Sequence, residues 1–235
     1  MLEQIEDVIE ARARMKMKAA ERAIELVEPG MTVGLGSGST TSMWIRLLGE
    51  RVRDRGLQIT AIASSEDTER LGRSYGIPFV AIDKCDRIDL TVDGANEIAP
   101  RLALIKGGGG NLLREKIVAS ASKLFVVVAD SSKVVNKLGK FPLPVEVVPM
   151  AASLVSCALQ ELGFTTKLRH QPDGSIYVTD QRNHLLDCTG VTIEDPYQMM
   201  SEINAIVGVV EPGIFLDMVN FALIASEDGL IERRV

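Results

Sequence analysis

An alternation in the first half of the chain constrains the fold most. Short apolar runs, several closing on glycine or aspartate, are separated by segments with a helical period. Met31–Gly36, Ile59–Ala63, Phe79–Ile82, Ile88–Val92 and Leu124–Ala129 read as buried strands. Between them Ser39–Arg53, Ser65–Tyr75 and Asn111–Ser122 carry apolar residues at helical spacing, and Ser65 is placed to cap its helix. Ahead of them lies a helix, or two, reaching about Val27 and stopped by Pro29-Gly30. Strands apolar on both faces need cover on both faces, so a parallel sheet flanked by helices is expected. Ligands in such sheets sit beyond the carboxyl ends of the strands, where Gly36-Ser37-Gly38, Asp93 and Asp130 fall.

After Phe141-Pro142-Leu143-Pro144 the rhythm changes. Val145–Val148 reads as strand, Ala151–Leu162 as helix and Thr165–Arg169 as strand. Ile176–Thr179 running on to Leu185–Asp187 reads as one or two strands, Tyr197–Val207 as helix and Val209–Phe215 as strand. The order βαββαβ is the split ferredoxin-like pattern. The last residues, through Val219, Phe221 and Ile224, read as a strand returning to the larger domain. The expected architecture is α/β: a Rossmann-like parallel-sheet domain over residues 1–141 and 216–235, with a smaller ferredoxin-like α+β domain over 142–215.

At 235 residues and 46% hydrophobic content the chain can build its core without staples. Cys85, Cys157 and Cys188 are isolated and fit neither a disulfide framework nor a zinc site, which points to a reducing cytoplasm. Acids at the start and the lack of a long apolar run exclude a secretory signal and a membrane span, so a soluble, unprocessed chain is expected. A net charge of −6 with 4% aromatics argues against a nucleic-acid partner. It also disfavours long-range capture of an anion, so any anion site must be local, with Lys106 and Lys133 as the natural cations.

Two glycine-rich turns carry the chemistry. Gly34-Leu35-Gly36-Ser37-Gly38-Ser39-Thr40-Thr41 joins a strand to a helix and adds hydroxyls to bare amides at a helix start. It lacks the third glycine of a dinucleotide fingerprint and the ending of a Walker loop, and on its own could be a plain structural turn. Lys106-Gly107-Gly108-Gly109-Gly110 is the stronger signal, because four glycines in ordered structure imply close approach of backbone to something. A flexible loop is the competing reading. Glu115, one turn into the helix that follows, could act as a base or simply be a solvated glutamate at a helix N-terminus. Asp93 could cap a turn, and Lys133 could be a surface lysine. His170 and His184 show no metal-ligand pattern. Two oxyanion cradles and a carboxylate suit a sugar phosphate undergoing proton transfer.

As a set, Gly36-Ser37-Gly38-Ser39-Thr40, Asp93-Gly94-Ala95-Asn96-Glu97, Lys106-Gly107-Gly108-Gly109, Arg114-Glu115-Lys116 and Gly139-Lys140-Phe141-Pro142-Leu143-Pro144-Val145-Glu146-Val147 closely resemble the ribose-5-phosphate isomerases of the A type. The resemblance runs from about Lys16 to the C-terminus. It implies reversible interconversion of D-ribose 5-phosphate and D-ribulose 5-phosphate in the non-oxidative pentose phosphate pathway, with no cofactor and no metal, by a homodimer or homotetramer. By resemblance Glu115 matches the catalytic base, and Asp93, Lys106 and Lys133 match substrate-site residues, with Asp93 and Lys106 assisting the chemistry. Ser37, Gly38, Ser39 and Thr40 match a substrate-binding loop, joined by Gly94, Ala95, Asn96, Gly107, Gly108 and Gly109. Lys16 or Lys18 matches a phosphate-contacting lysine, and residues 1 to about 15 extend beyond the usual start.

One departure stands out: Asn96 occupies a position where the family usually has aspartate. Asparagine keeps the hydrogen-bonding geometry but carries no proton. The rival readings are an isomerase or deaminase acting on another phosphosugar, and a non-catalytic sugar-phosphate sensor. The sensor would normally need a DNA-binding module, which the short helical N-terminus and the acidic overall charge do not offer.

Overall fold

The structure, a computed structural model, describes residues 2–234. In chain order the first elements are α1 (Leu2–Ile24), β1 (Thr32–Leu35), α2 (Ser39–Arg55), β2 (Thr60–Ala63), α3 (Glu66–Ser74) and β3 (Ile88–Asp93). There follow β4 (Glu97–Ile98), β5 (Leu104–Ile105), α4 (Leu112–Ser120), β6 (Ser122–Asp130), β7 (Leu143–Val147), α5 (Ala152–Glu161) and β8 (Thr165–Leu168). The chain closes with β9 (His184–Thr189), α6 (Pro196–Asn204), β10 (Val209–Pro212), β11 (Ile214–Phe215), β12 (Phe221–Ser226) and β13 (Gly229–Arg234). Two compact units result. The first comprises the chain up to Gly94, Ile117–Lys133 and the chain from Met218; the second comprises Ala95–Lys116 and Val134–Asp217. The boundary expected from the sequence cuts elsewhere, since residues 95–116 and 134–141 cluster with the second unit.

The first unit is a six-stranded sheet in the order β13-β12-β6-β3-β1-β2. Its pairings are parallel except for the β12–β13 hairpin. Val33, Leu35, Leu90, Val92, Val126 and Val128 bury one sheet face under Ala19 and Ala23 of α1 and Trp44 and Leu48 of α2. Ile62 and Ile88 pack with Val118 in a separate cluster. The chain steps from β1 to β2 on one side and then to β3 on the other, so the strand order reverses between β1 and β3, where a ligand crevice opens in such sheets. Local chemistry sets the helix ends: Ser65 accepts from the Thr68 amide to start α3, and Gly56 in the left-handed region closes α2.

The second unit holds the antiparallel sheet β10-β7-β9-β8, the ferredoxin-like order for βαββαβ. Val145 and Val147 of β7 and Leu186 of β9 pack with Val155 and Leu159 of α5 and Ile203 of α6. Asp195 caps α6, accepting from the amides of Tyr197 and Gln198, with Pro196 opening the helix. A small sheet, β11-β5-β4, completes it.

Several elements differ from the sequence reading. Phe79–Ile82 makes one bridge, Ala61 to Phe79, through the Pro78 carbonyl and the Val80 amide, and then enters a 3-10 turn at Ile82. Ile176–Thr179 is not a ladder strand: Ile176 only bridges His170, and the side chains of Ile176 and Val178 are exposed. The expected strand Val209–Phe215 is broken at Gly213 into β10 and β11, which serve different sheets. The returning C-terminal strand is β12, with β13 as an added antiparallel edge. The strands β4 and β5, two residues each, are too short to show a period. Among the described residues no helix is long and apolar enough to cross a membrane.

Candidate active site

In the first unit, the turn after β1 wraps the carboxylate that ends β3. The amides of Ser37 and Gly94 both donate to Asp93 Oδ1, at 3.0 and 2.7 Å. Asp93 is only 1% exposed. Any side chain at position 36 would collide with that carboxylate, so Gly36 is required by close approach. Thr68 Oγ1 donates to the Gly36 carbonyl at 2.9 Å and Thr41 Oγ1 to the Ser37 carbonyl at 3.1 Å, which pins the turn from two helices. Gly38 and Ser39 face solvent, while Thr40 and Thr41 are buried. Lys16 Nζ donates to Ser39 Oγ at 2.9 Å, which distinguishes it from Lys18 as the lysine of α1 that reaches this turn. Lys133 ends the 3-10 turn that follows β6, where Asp130 accepts from the Ser132 amide at 3.1 Å and from its hydroxyl.

In the second unit, Lys106 follows β5 and Glu115 lies in the first turn of α4, its amide donating to the Asn111 carbonyl. Their side chains form an ion pair, Nζ to Oε2 at 3.3 Å, and are only 2% and 5% exposed. The reading of Glu115 as a solvated surface glutamate is therefore overturned. The glycine run is ordered, not a flexible loop. Its carbonyls are bonded on one side: Arg169 Nη1 donates to Gly107 and Gly108 at 3.3 and 3.2 Å, and the Tyr177 hydroxyl to Gly109 at 3.2 Å. Arg169 is itself held in a bidentate pair with Asp187.

Of the run's amides, Gly108 donates to Asn96 Oδ1 at 2.9 Å and Gly110 to the Gly107 carbonyl. The amides of Gly107 and Gly109 make no hydrogen bond among the described residues, so two of the four amides expected to form a cradle are taken by protein acceptors. Asn96 thus acts as an acceptor that shapes the turn. Its neighbour Glu97 is 2% exposed and accepts from the amides of Gly139 and Phe141 at 2.8 and 2.6 Å. That carboxylate is committed to holding the segment before β7 and does not substitute for an aspartate at 96.

Sequence reasoning named Asp93, Lys106, Glu115 and Asn96 but missed Arg169 and Tyr177, which carry no local motif. Lys116 stands in the sequence only as part of a motif, yet its half-buried ammonium donates to Glu211 and to the carbonyls of Pro212 and Ile214. Among the described residues no group of three His, Cys, Asp or Glu side chains is gathered as metal ligands would be, and His170 Nδ1 instead meets the Leu168 carbonyl at 2.8 Å.

Residues 60–229 match the family described as ribose 5-phosphate isomerase A (phosphoriboisomerase A). A protein of that name from Nitrobacter hamburgensis is 46% identical over 229 residues, covering 94% of this chain and 98% of the relative. The solved structure of ribose 5-phosphate isomerase A from Methanocaldococcus jannaschii matches with a TM-score of 0.91 at 40% identity, over 95% of this chain and 99% of that one. A D-ribose-5-phosphate isomerase solved in complex with phospho-erythronic acid matches with a TM-score of 0.92 at 35% identity, again over 95% and 99%.

Proposed function

The chain belongs to the ribose 5-phosphate isomerase A family, and from that membership we propose that it interconverts D-ribose 5-phosphate and D-ribulose 5-phosphate by proton transfer through an enediolate. The observation that carries the reading is the buried Lys106–Glu115 pair beside the glycine turn. Burying two charges costs desolvation that their attraction barely offsets, so stability is a poor reason for the pair. A base next to a cation, shielded from water, is what abstraction of a proton beside a carbonyl requires.

In the open-chain aldose the C2 proton is acidified by the C1 carbonyl. Glu115 removes it, and Lys106 with the Gly107 and Gly109 amides stabilises the oxyanion that develops. Glu115 then returns the proton to C1 while the proton of the C2 hydroxyl passes to O1, giving the ketose. A cis-enediolate presents C1 and C2 to one carboxylate, so a single base suffices. Asp93 assists opening of the furanose ring. Ser37, Gly38, Ser39, Thr40, Gly94, Ala95, Asn96, Gly108 and Lys133 are assigned to substrate binding, with Lys16 at the phosphate end of the first turn. The phospho-erythronic acid bound by the solved relative is an anionic sugar acid phosphate of the kind such a site would hold. The reaction belongs to the non-oxidative pentose phosphate pathway.

The test is turnover of D-ribose 5-phosphate by the purified protein in the presence of a metal chelator. Ribulose 5-phosphate formed at an enzymatic rate supports the proposal. Inactivity on ribose 5-phosphate with turnover of another phosphosugar would replace the substrate assignment.

A further inference from the structure

Lys116 sits next to the proposed base in sequence, and the structure gives its ammonium three acceptors: Glu211 Oε1 at 2.5 Å, the Pro212 carbonyl at 2.9 Å and the Ile214 carbonyl at 2.7 Å. An ammonium has three protons, so all are engaged and none is left for a substrate. Pro212 and Ile214 flank Gly213, and carbonyls alternate sides along an extended segment. The Gly213 carbonyl accordingly accepts from the Lys106 amide, at 2.9 Å. One short segment therefore grips Lys116 with its even-numbered carbonyls and the backbone of Lys106 with the odd one. The ring of Phe215, the next residue but one, lies 4.7 Å from Lys116 Nζ and 5.5 Å from Lys106 Nζ. A side chain at 213 would collide with the Lys106 carbonyl, so the approach depends on glycine.

Resting on the reading of Glu115 as the base, we propose that Lys116 is a positioning residue for the proton transfer: it ties the first turn of α4, which carries Glu115, to the segment Glu211–Phe215 that also fixes Lys106. The distance between base and oxyanion-stabilising cation is thereby set by a third element distinct from those that carry the two groups. Burial lowers the Lys116 ammonium below the usual lysine range while Glu211 opposes that shift, as expected of a tether held in a dry place. Arg114, on the other side of Glu115, is paired to Asp180 at 3.1 Å, so the base is flanked by two anchored side chains.

The experiment measures kcat and KM for Lys116→Met and Glu211→Gln, each with unlabelled and C2-deuterated D-ribose 5-phosphate, alongside Glu115→Gln. Lys116→Met is expected to lose about 10- to 100-fold in kcat, the scale of a small misplacement of reacting groups, with KM within about twofold of wild type. The isotope effect on kcat should be at least as large as in wild type, because the slowed step is proton abstraction. Glu211→Gln keeps an acceptor and should show the same pattern at about three- to tenfold, so the inference can be judged even if Lys116→Met does not fold. A folded Lys116→Met, or failing that Glu211→Gln, with wild-type kcat, or a loss confined to KM, overturns the inference. Near-normal turnover by Glu115→Gln would instead overturn the assignment of the base on which it rests.

Discussion

The two glycine turns look alike in sequence and do different work. The turn after β1 brings backbone donors to a carboxylate: the amides of Ser37 and Gly94 meet Asp93, and Gly38 and Ser39 are the exposed residues of the turn. The turn after β5 stands beside a buried ion pair, and its backbone is fixed from behind by Arg169 and Tyr177. Amide donors fix the orientation of a buried carboxylate, whereas a buried lysine and glutamate are two ions retained against their solvation energy. Under the proposed function, the first turn orients an acid and the second lies beside the charge that develops in the reaction.

Lys106→Met would break that contrast most severely. It leaves the Glu115 carboxylate buried without its cation, so stability should drop by about 3–5 kcal/mol in denaturant titration. Loss of oxyanion stabilisation should lower kcat by about 10²–10³. Gly36→Ala attacks the other turn by overpacking. Its methyl group meets the Asp93 carboxylate, and a stability loss of about 1–3 kcal/mol is expected with the Lys106–Glu115 pair intact. Equal losses of kcat in the two variants at unchanged fold would erase the distinction between the turns.

A third variant separates functional burial from burial that only costs. Glu146 is 1% exposed on β7, where Oε1 accepts from Thr179 and Asn183 and Oε2 has no hydrogen-bond partner among the described residues. Burial raises its carboxyl above the usual glutamate range, opposed by those two bonds and assisted by Asp180 and Glu211. A raised carboxyl contributes stability in full below its unfolded value and loses it as pH rises through its folded one. Glu146→Gln keeps the acceptor, so relative to wild type it should become progressively more stable in thermal melts as pH rises above the usual glutamate range. A difference that stays constant over that rise would contradict the assignment.

The smallest effect is expected at Asn96. Its Oδ1 receives the Gly108 amide, a task either asparagine or aspartate performs, so Asn96→Asp should change kcat by less than about threefold in a steady-state assay. A larger gain would show that this position moves protons and that asparagine limits the chain.

Much of this was legible in the residues because the signals are local. The parallel strands announce themselves as apolar runs, the βαββαβ order survives the loss of one expected strand, and Ser65 caps its helix as expected. Asp93, Lys106 and Glu115 stand within motifs at strand ends and a helix start. What was not legible depends on long-range meetings. Arg169 reaches the glycine turn across 61 residues, and Lys116 finds Glu211 across 95. No period or spacing encodes such contacts. The break at Gly213 was hidden for a related reason: a glycine inside an apolar run reads as a weak strand, while its purpose is the close approach of Lys106.

The most direct measurement is turnover of D-ribose 5-phosphate by Glu115→Gln set beside its binding of phospho-erythronic acid. The account predicts loss of at least about 10³ in kcat, with affinity for the acid within a few fold of wild type, because the amide preserves shape but cannot take the proton. A Glu115→Gln protein that isomerises at near wild-type rate would contradict it.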